Sequence, residues 1–109
     1  MAEPTLAQVF GASATQDSST FTITKASLSG LTASSSNSAE SLLVAILLKA
    51  QSYLTQANFD ANTDQSIYAA TGFSSFTTRG TNNDPYRVDQ ITFNLAKADT
   101  ASTLDPDDY

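Results

Sequence analysis

The chain has 109 residues, no His, no Cys and no Trp, and a net charge of −6 from five basic and eleven acidic residues. That length holds one domain at most, and the missing residue types exclude His-based acid–base catalysis, thiolate chemistry, disulfides and His- or Cys-ligated metals. Leu, Ile, Val and Phe number only 23 of 109 residues, which leaves a thin core, and the acidic balance argues against direct nucleic-acid binding.

Residues 1–19 carry scattered apolar side chains (Leu6, Val9, Phe10) among Ser, Thr and Ala, and read as an extended N-terminal arm. They lack the basic-then-apolar pattern of a secretory signal. Residues 20–24 alternate, with Phe21 and Ile23 on one side and threonines on the other, as a half-buried strand does. The polar tract 32–38 is too small-sided to pack and reads as a connector.

The strongest element runs from Ala39 to Asn58 without Gly or Pro. Asn37, Ser38 and Ser41 compete to cap this helix, and Glu40 sits in its first turn, where it favours the dipole. Leu43, Ile46, Leu47, Ala50, Leu54 and Ala57 form a helical stripe. Leu42, Val44, Ala45 and Leu48 lie off it, so the first half of the helix is apolar nearly all round. A second internal layer or a neighbouring subunit must cover it. Its apolar run, 42–48, falls far short of the roughly 20 residues of a membrane span.

Residues 58–66 form a polar turn, and Ile67 and Tyr68 a short extended piece. Segments 73–79 and 88–97 read as a hairpin, with Ile91, Phe93 and Leu95 inward and Gln90, Thr92 and Asn94 outward. Its connection, 80–87, contains Asn82, Asn83, Asp84 and Pro85 and is long enough to project. Arg79 and Arg87 flank it, positioned to pair with Asp84 or Asp89, or with acidic groups across a subunit boundary. The chain closes on Asp105, Pro106, Asp107, Asp108 and Tyr109.

The fold expected is α+β: a small single domain in which one long central helix packs on a short antiparallel sheet. An N-terminal arm covers 1–19, the compact domain 20–98 and an acidic C-terminal tail 99–109. Phe21, Phe73, Phe76 and Phe93 are expected in the core.

Asp60, Asn62 and Asp64 match the opening of a calcium loop, whose oxygen ligands stand at positions one, three and five. The sixth position is Gln65 rather than Gly and the twelfth is Thr71 rather than Glu. The expected role of the three is therefore helix termination and Asx-turns, with no metal and no cofactor. No nucleophile elbow, phosphate loop or paired-carboxylate pocket can be read, and no enzyme is expected. Phe10, Tyr86 and Tyr109 fall in arms or loops, where aromatic anchors of interfaces are enriched. With Leu42, Arg79, Arg87, Asp107 and Asp108 they make up the expected interface.

The strand at 20–24, the helix AESLLVAILLKAQSYL and the segment GFSSFTTRGTNNDPYRVDQITFNLAKAD resemble small virion structural proteins of tailed bacteriophages, especially those infecting cyanobacteria. The likeness lies in composition and element order and carries over no functional residue. It implies a capsid decoration or cement subunit, or a tail or neck component. Such a protein would be made in the host cytoplasm and would bind copies of itself and a major structural protein. A third reading, from charge alone, is an acidic module that inhibits a host protein by occupying its basic site.

Overall fold

A computed structural model describes residues 2–98 and 103–109; residues 99–102 of the expected tail lie outside the described residues. Helix α1 (Leu6–Phe10) is opened by a reciprocal cap. The Gln8 N–H donates to Thr5 Oγ1 at 3.2 Å, and the Thr5 N–H to Gln8 Oε1 at 2.9 Å. Within the segment read as an arm, α1 therefore lies against the long helix. Phe10 meets Phe21 edge to face, with ring centroids 4.8 Å apart.

Strands β1 (Thr15–Gln16) and β2 (Phe21–Thr22) pair antiparallel around a turn built by Asp17. One carboxylate oxygen accepts the N–H groups of Ser19 and Thr20, both at 2.7 Å. These hydrogen bonds, with a third from the Thr20 hydroxyl, hold the Asp17 carboxyl below its ordinary pKa. The strand expected over 20–24 is thus only two residues, and Phe21 is exposed rather than core.

The polar tract 32–38 is organised by one side chain. Asn37 Oδ1 accepts the Ser34 N–H at 2.9 Å and Lys25 Nζ at 3.2 Å, while Asn37 Nδ2 donates to the Thr32 carbonyl at 3.0 Å. The cap of α2 (Ala39–Tyr53) falls to Ser38, whose hydroxyl accepts the Ser41 N–H.

The helix expected to reach Asn58 breaks at Leu54. The Leu54 carbonyl accepts the N–H of Ala69, and Thr55 takes extended geometry and caps a separate α3 (Gln56–Ala61). Of the expected stripe, Ile46 and Leu47 are half-buried and Ala50 and Leu54 buried, whereas Leu43 and Ala57 are exposed. Leu42, Ala45 and Tyr53 also turn inward.

Strands β3 (Ile67–Thr71) and β6 (Ile91–Leu95) pair antiparallel, as do β4 (Ser75–Arg79) and β5 (Asp84–Val88). The hairpin expected between 73–79 and 88–97 is corrected by this register: most of the expected connection is itself a strand. The turn occupies only residues 80–83, where Gly80 (φ 83°) and Asn83 (φ 53°) take the left-handed conformations a tight reversal requires.

Between the Thr71–Ile91 and Ser75–Val88 pairs, three residues oppose two. The Gly72 N–H still donates to the Gln90 carbonyl at 2.7 Å, which leaves Phe73 as the extra residue of a bulge. Two ladders thus run end to end as one kinked ribbon. On the inner ladder Ile91 and Phe93 are half-buried rather than fully in the core, Asn94, expected outward, is half-buried too, and Leu95 is exposed.

The chain is an α+β domain with a small core. Among the described residues the buried apolar side chains are Leu28, Ala45, Ala50, Leu54 and Ala69. Gln65, 2% exposed, is buried with them and donates from Nε2 to the carbonyls of Ile67 (2.8 Å) and Thr55 (3.3 Å). The radius of gyration is 16.7 Å, against about 13 Å for a compact domain of this length. The excess reflects a body from which parts stand away, with extents of 51 × 34 × 26 Å.

A candidate interaction surface

Residues 73–90 form an unbroken exposed stretch, so the outer ribbon of β4 and β5 stands clear of the body. Directly opposed residues share a face of a ladder. Phe76 with Arg87, and Thr78 with Pro85, occupy one face; Thr77 with Tyr86, and Ser75 with Val88, occupy the other. Phe73 is 89% and Phe76 78% exposed, which corrects their assignment to the core. Phe76 lies on β4 as expected, whereas Phe73 falls in the break between β3 and β4 rather than on a strand.

Polar contacts define the ribbon's shape. Asp89 spans the bulge, accepting from the Ser74 hydroxyl at 2.8 Å and from Arg87 Nε at 3.2 Å. Of the two expected ways to pair Arg87, the one within the ribbon is therefore realised. Arg79 lies over the Tyr86 ring, 5.0 Å from its centroid, a cation–π contact that orients both tip side chains.

The second apolar surface is the outer side of α2. Leu43, Val44 and Leu48 are about half exposed, with Val44 at 52% and Leu48 at 46%. Beside Val44 and Leu48 runs a groove of about 330 Å³, whose far wall is Ser29, Gly30 and Leu31 and whose lip carries Glu40. Gly30 leaves this wall low: a methyl group added there would meet no atom within 4 Å.

The remaining expected interface residues lie away from the ribbon. Phe10 is half-buried against Phe21, and Leu42 lies half-buried on the inner side of α2. Asp107 and Asp108 are exposed in a short 3-10 turn capped by Asp105. Tyr109 rests on the body, its hydroxyl donating to the Leu95 carbonyl at 3.4 Å and Lys97 Nζ lying 5.2 Å from its ring centroid. Arg79, Tyr86 and Arg87 are brought together on the ribbon, and Phe10 and Tyr109 line one pocket with Leu6, Val9 and Ile67. The exposed apolar residues of these two surfaces that lie outside the expected interface set include Leu43, Val44, Leu48, Phe73 and Phe76. For the first three the signal was present, in a helix apolar on more sides than one domain can cover.

Asn62 uses both ends of its amide within the chain, accepting the Asp64 N–H at 3.0 Å and donating to the Ala2 carbonyl at 2.8 Å. The first contact is the expected Asx-turn. Among the described residues, no three acidic side chains cluster in a way that could hold a metal ion, and no helix is long and apolar enough to cross a membrane. No family model, curated protein or solved structure matches the chain.

Proposed function

We propose that this chain is a non-enzymatic structural protein of a phage particle, a capsid decoration or cement subunit that stabilises the shell through subunit–subunit contacts. The observation that carries the reading is the bare outer side of α2, with Leu43, Val44 and Leu48 left to solvent by their own chain. Exposed apolar surface of this kind, rimmed by Ser41 and Glu40, marks a protein–protein contact. Anything that binds only the assembled shell shifts the equilibrium toward it, so a small protein with a thin core can act as a clamp without any chemistry. The likeness in composition and element order to small virion proteins supports the particle as the setting.

A second reading, a ring subunit of the tail or neck, is favoured by a different feature. The ribbon and the α2 groove are dissimilar surfaces on one chain, the requirement for a heterologous contact that closes into rings.

The test is quantitative peptide mass spectrometry of density-banded particles of the phage that encodes the chain. A decoration subunit is expected at a copy number comparable to the major shell protein, and a ring subunit at six or twelve per particle. Absence of the chain from banded particles overturns both readings.

A further inference from the structure

We infer that the free edge of β6 pairs antiparallel with the same edge of a second copy, about a twofold axis at Phe93, so that two β3–β6 ladders join into one sheet. The contact goes beyond the particle reading and stands on the backbone of this chain.

β6 has β3 along one side and, among the described residues, no strand along the other. Three hydrogen bonds fix the direction of its backbone groups. The Gly72 N–H donates to the Gln90 carbonyl and the Ala96 N–H to the Ser66 carbonyl, so the even-numbered residues of β6 bond inward to β3. Ala69, directly opposite Phe93, instead sends its N–H to Leu54. Ile91, Phe93 and Leu95 therefore turn their N–H and C=O groups away from β3. Among the described residues, what reaches these groups is the Tyr109 hydroxyl, which donates to the Leu95 carbonyl at 3.4 Å. A row of unpaired donors and acceptors at strand spacing is a template for another strand.

β6 also lacks the devices that keep such an edge single. Charged residues, proline and bulges blunt exposed edges, and Ile91–Leu95 contains no charge and no proline. Earlier on the same side of the ladder, β5 carries Pro85 and Arg87. The far edge, that of β3, is engaged within the chain: Leu54 accepts from Ala69, and Gln65 Nε2 donates to the Ile67 carbonyl.

The sequence on either side of Phe93 selects a second copy as the occupant. Antiparallel pairing about that residue sets Ile91 against Leu95 of the second copy on one face, and Thr92 against its Asn94 on the other. Apolar meets apolar, polar meets polar, and Leu95, 44% exposed in the single chain, is covered. The same register brings Asp89 opposite Lys97 of the second copy, at both ends of the contact. Lys97 lies over the Tyr109 ring and, among the described residues, forms no ion pair. Asp89 accepts from Ser74 and Arg87, and its two oxygens keep lone pairs for a further donor. Moving the axis by one residue loses the match, because Asp89 then faces Leu95, or Lys97 faces Ile91.

The chain has no cysteine, so introduced thiols report the register directly. In this pairing Thr92 of one copy and Asn94 of the other form a non-hydrogen-bonded pair, with Cα atoms about 4.5 Å apart, within reach of a disulfide. Under mild oxidation, an equimolar mixture of full-length Thr92→Cys and Asn94→Cys is expected to cross-link mainly as the mixed dimer, of about twice the 11.5 kDa chain mass. Intact mass separates this species from the two like-with-like dimers.

By sedimentation velocity at hundreds of micromolar, wild type is expected to dimerise. Leu95→Pro removes an outward N–H while sparing the inner ladder bonds, and should be monomeric with an unchanged circular dichroism spectrum. Leu95→Lys, which places a charge in the edge, takes its place if the proline variant melts lower. A monomeric wild type, a folded Leu95 variant that still dimerises, or like-with-like disulfides in excess of the mixed one each overturn the contact. None of these outcomes touches the particle reading, which the mass spectrometry of banded particles decides separately.

Discussion

The backbone N–H of Ala69 donates to the carbonyl of Leu54 at 2.7 Å, joining the end of the long helix to the edge of β3. This bond diverts a carbonyl that would otherwise continue the helix, and it places the Leu54 side chain, 6% exposed, in the centre of the core. With so few large buried side chains, Leu54 carries an unusual share of the stability. Leu54→Ala is expected to cost about 2–5 kcal/mol, a large fraction of the roughly 5–15 kcal/mol that holds a domain folded. Urea denaturation followed by circular dichroism should show the midpoint collapse, while exposed Leu48→Ala stays within about 0.5 kcal/mol of wild type. Equal effects at the two positions would contradict this core.

The order of the polar tract depends on Asn37, which ties Ser34, Thr32 and Lys25 together. Asn37→Ala leaves those groups to solvent, and about 1–2 kcal/mol of stability should be lost. Limited proteolysis is the sharper measurement: cleavage within residues 32–38 should accelerate in Asn37→Ala and stay slow in Ser35→Ala. Unchanged cleavage would show that Asn37 does not hold the segment.

Gly11 is buried at φ 114°, and a β-carbon there would lie 2.5 Å from Ser27 Cβ. Gly11→Ala therefore combines backbone strain with a collision and should destabilise by more than about 1 kcal/mol. Ser27→Gly removes the colliding atom, so the double variant should recover part of the loss in thermal melts, with the strain remaining. No recovery would separate α1 from the 3-10 turn at Lys25–Ser27.

Asp17 supplies a pH dependence whose sign follows from its hydrogen bonds. Its folded-state pKa is lowered, chiefly by the backbone N–H groups of Ser19 and Thr20. The turn is thus stabilised above the unfolded carboxylate value of about 3.9, and that contribution disappears as the pH falls through the lower folded value. The Thr20 amide proton, followed by NMR from pH 6 to 2, should titrate with a midpoint below the ordinary carboxylate range. Asp17→Asn should abolish the titration, and a midpoint at or above the ordinary value would contradict the turn geometry.

The helix start at Ala39, the Asx-turn at Asn62 and the strand over Ile67 and Tyr68 were legible because each depends on neighbours a few residues away. The break at Leu54 was not, because its cause, the N–H of Ala69, lies fifteen residues on. The pairing of β5 was hidden for a similar reason. Asn83, Asp84 and Pro85 are all turn formers, yet only Asn83 takes the turn conformation while Asp84 and Pro85 enter the strand. Of the candidate surface, Arg79, Tyr86 and Arg87 were recognised by their place beside a loop. Phe73 and Phe76 were assigned inward because an aromatic on a strand ordinarily has a layer to pack against.

Composition and local pattern together dictated a mixed α+β chain with little core, no His or thiol chemistry and a helix greasier than one small domain can cover. These properties are sums over residues or depend on near neighbours, and they survive any rearrangement in space. Which side of α2 turns inward, and whether the ribbon lies on the body or stands off it, were decided by tertiary structure. A helix apolar on most sides has no single preferred inner face until α1 and β3 pack against it. A ribbon with aromatics on both faces has none until Phe73, the one extra residue in its ladder, bends it away.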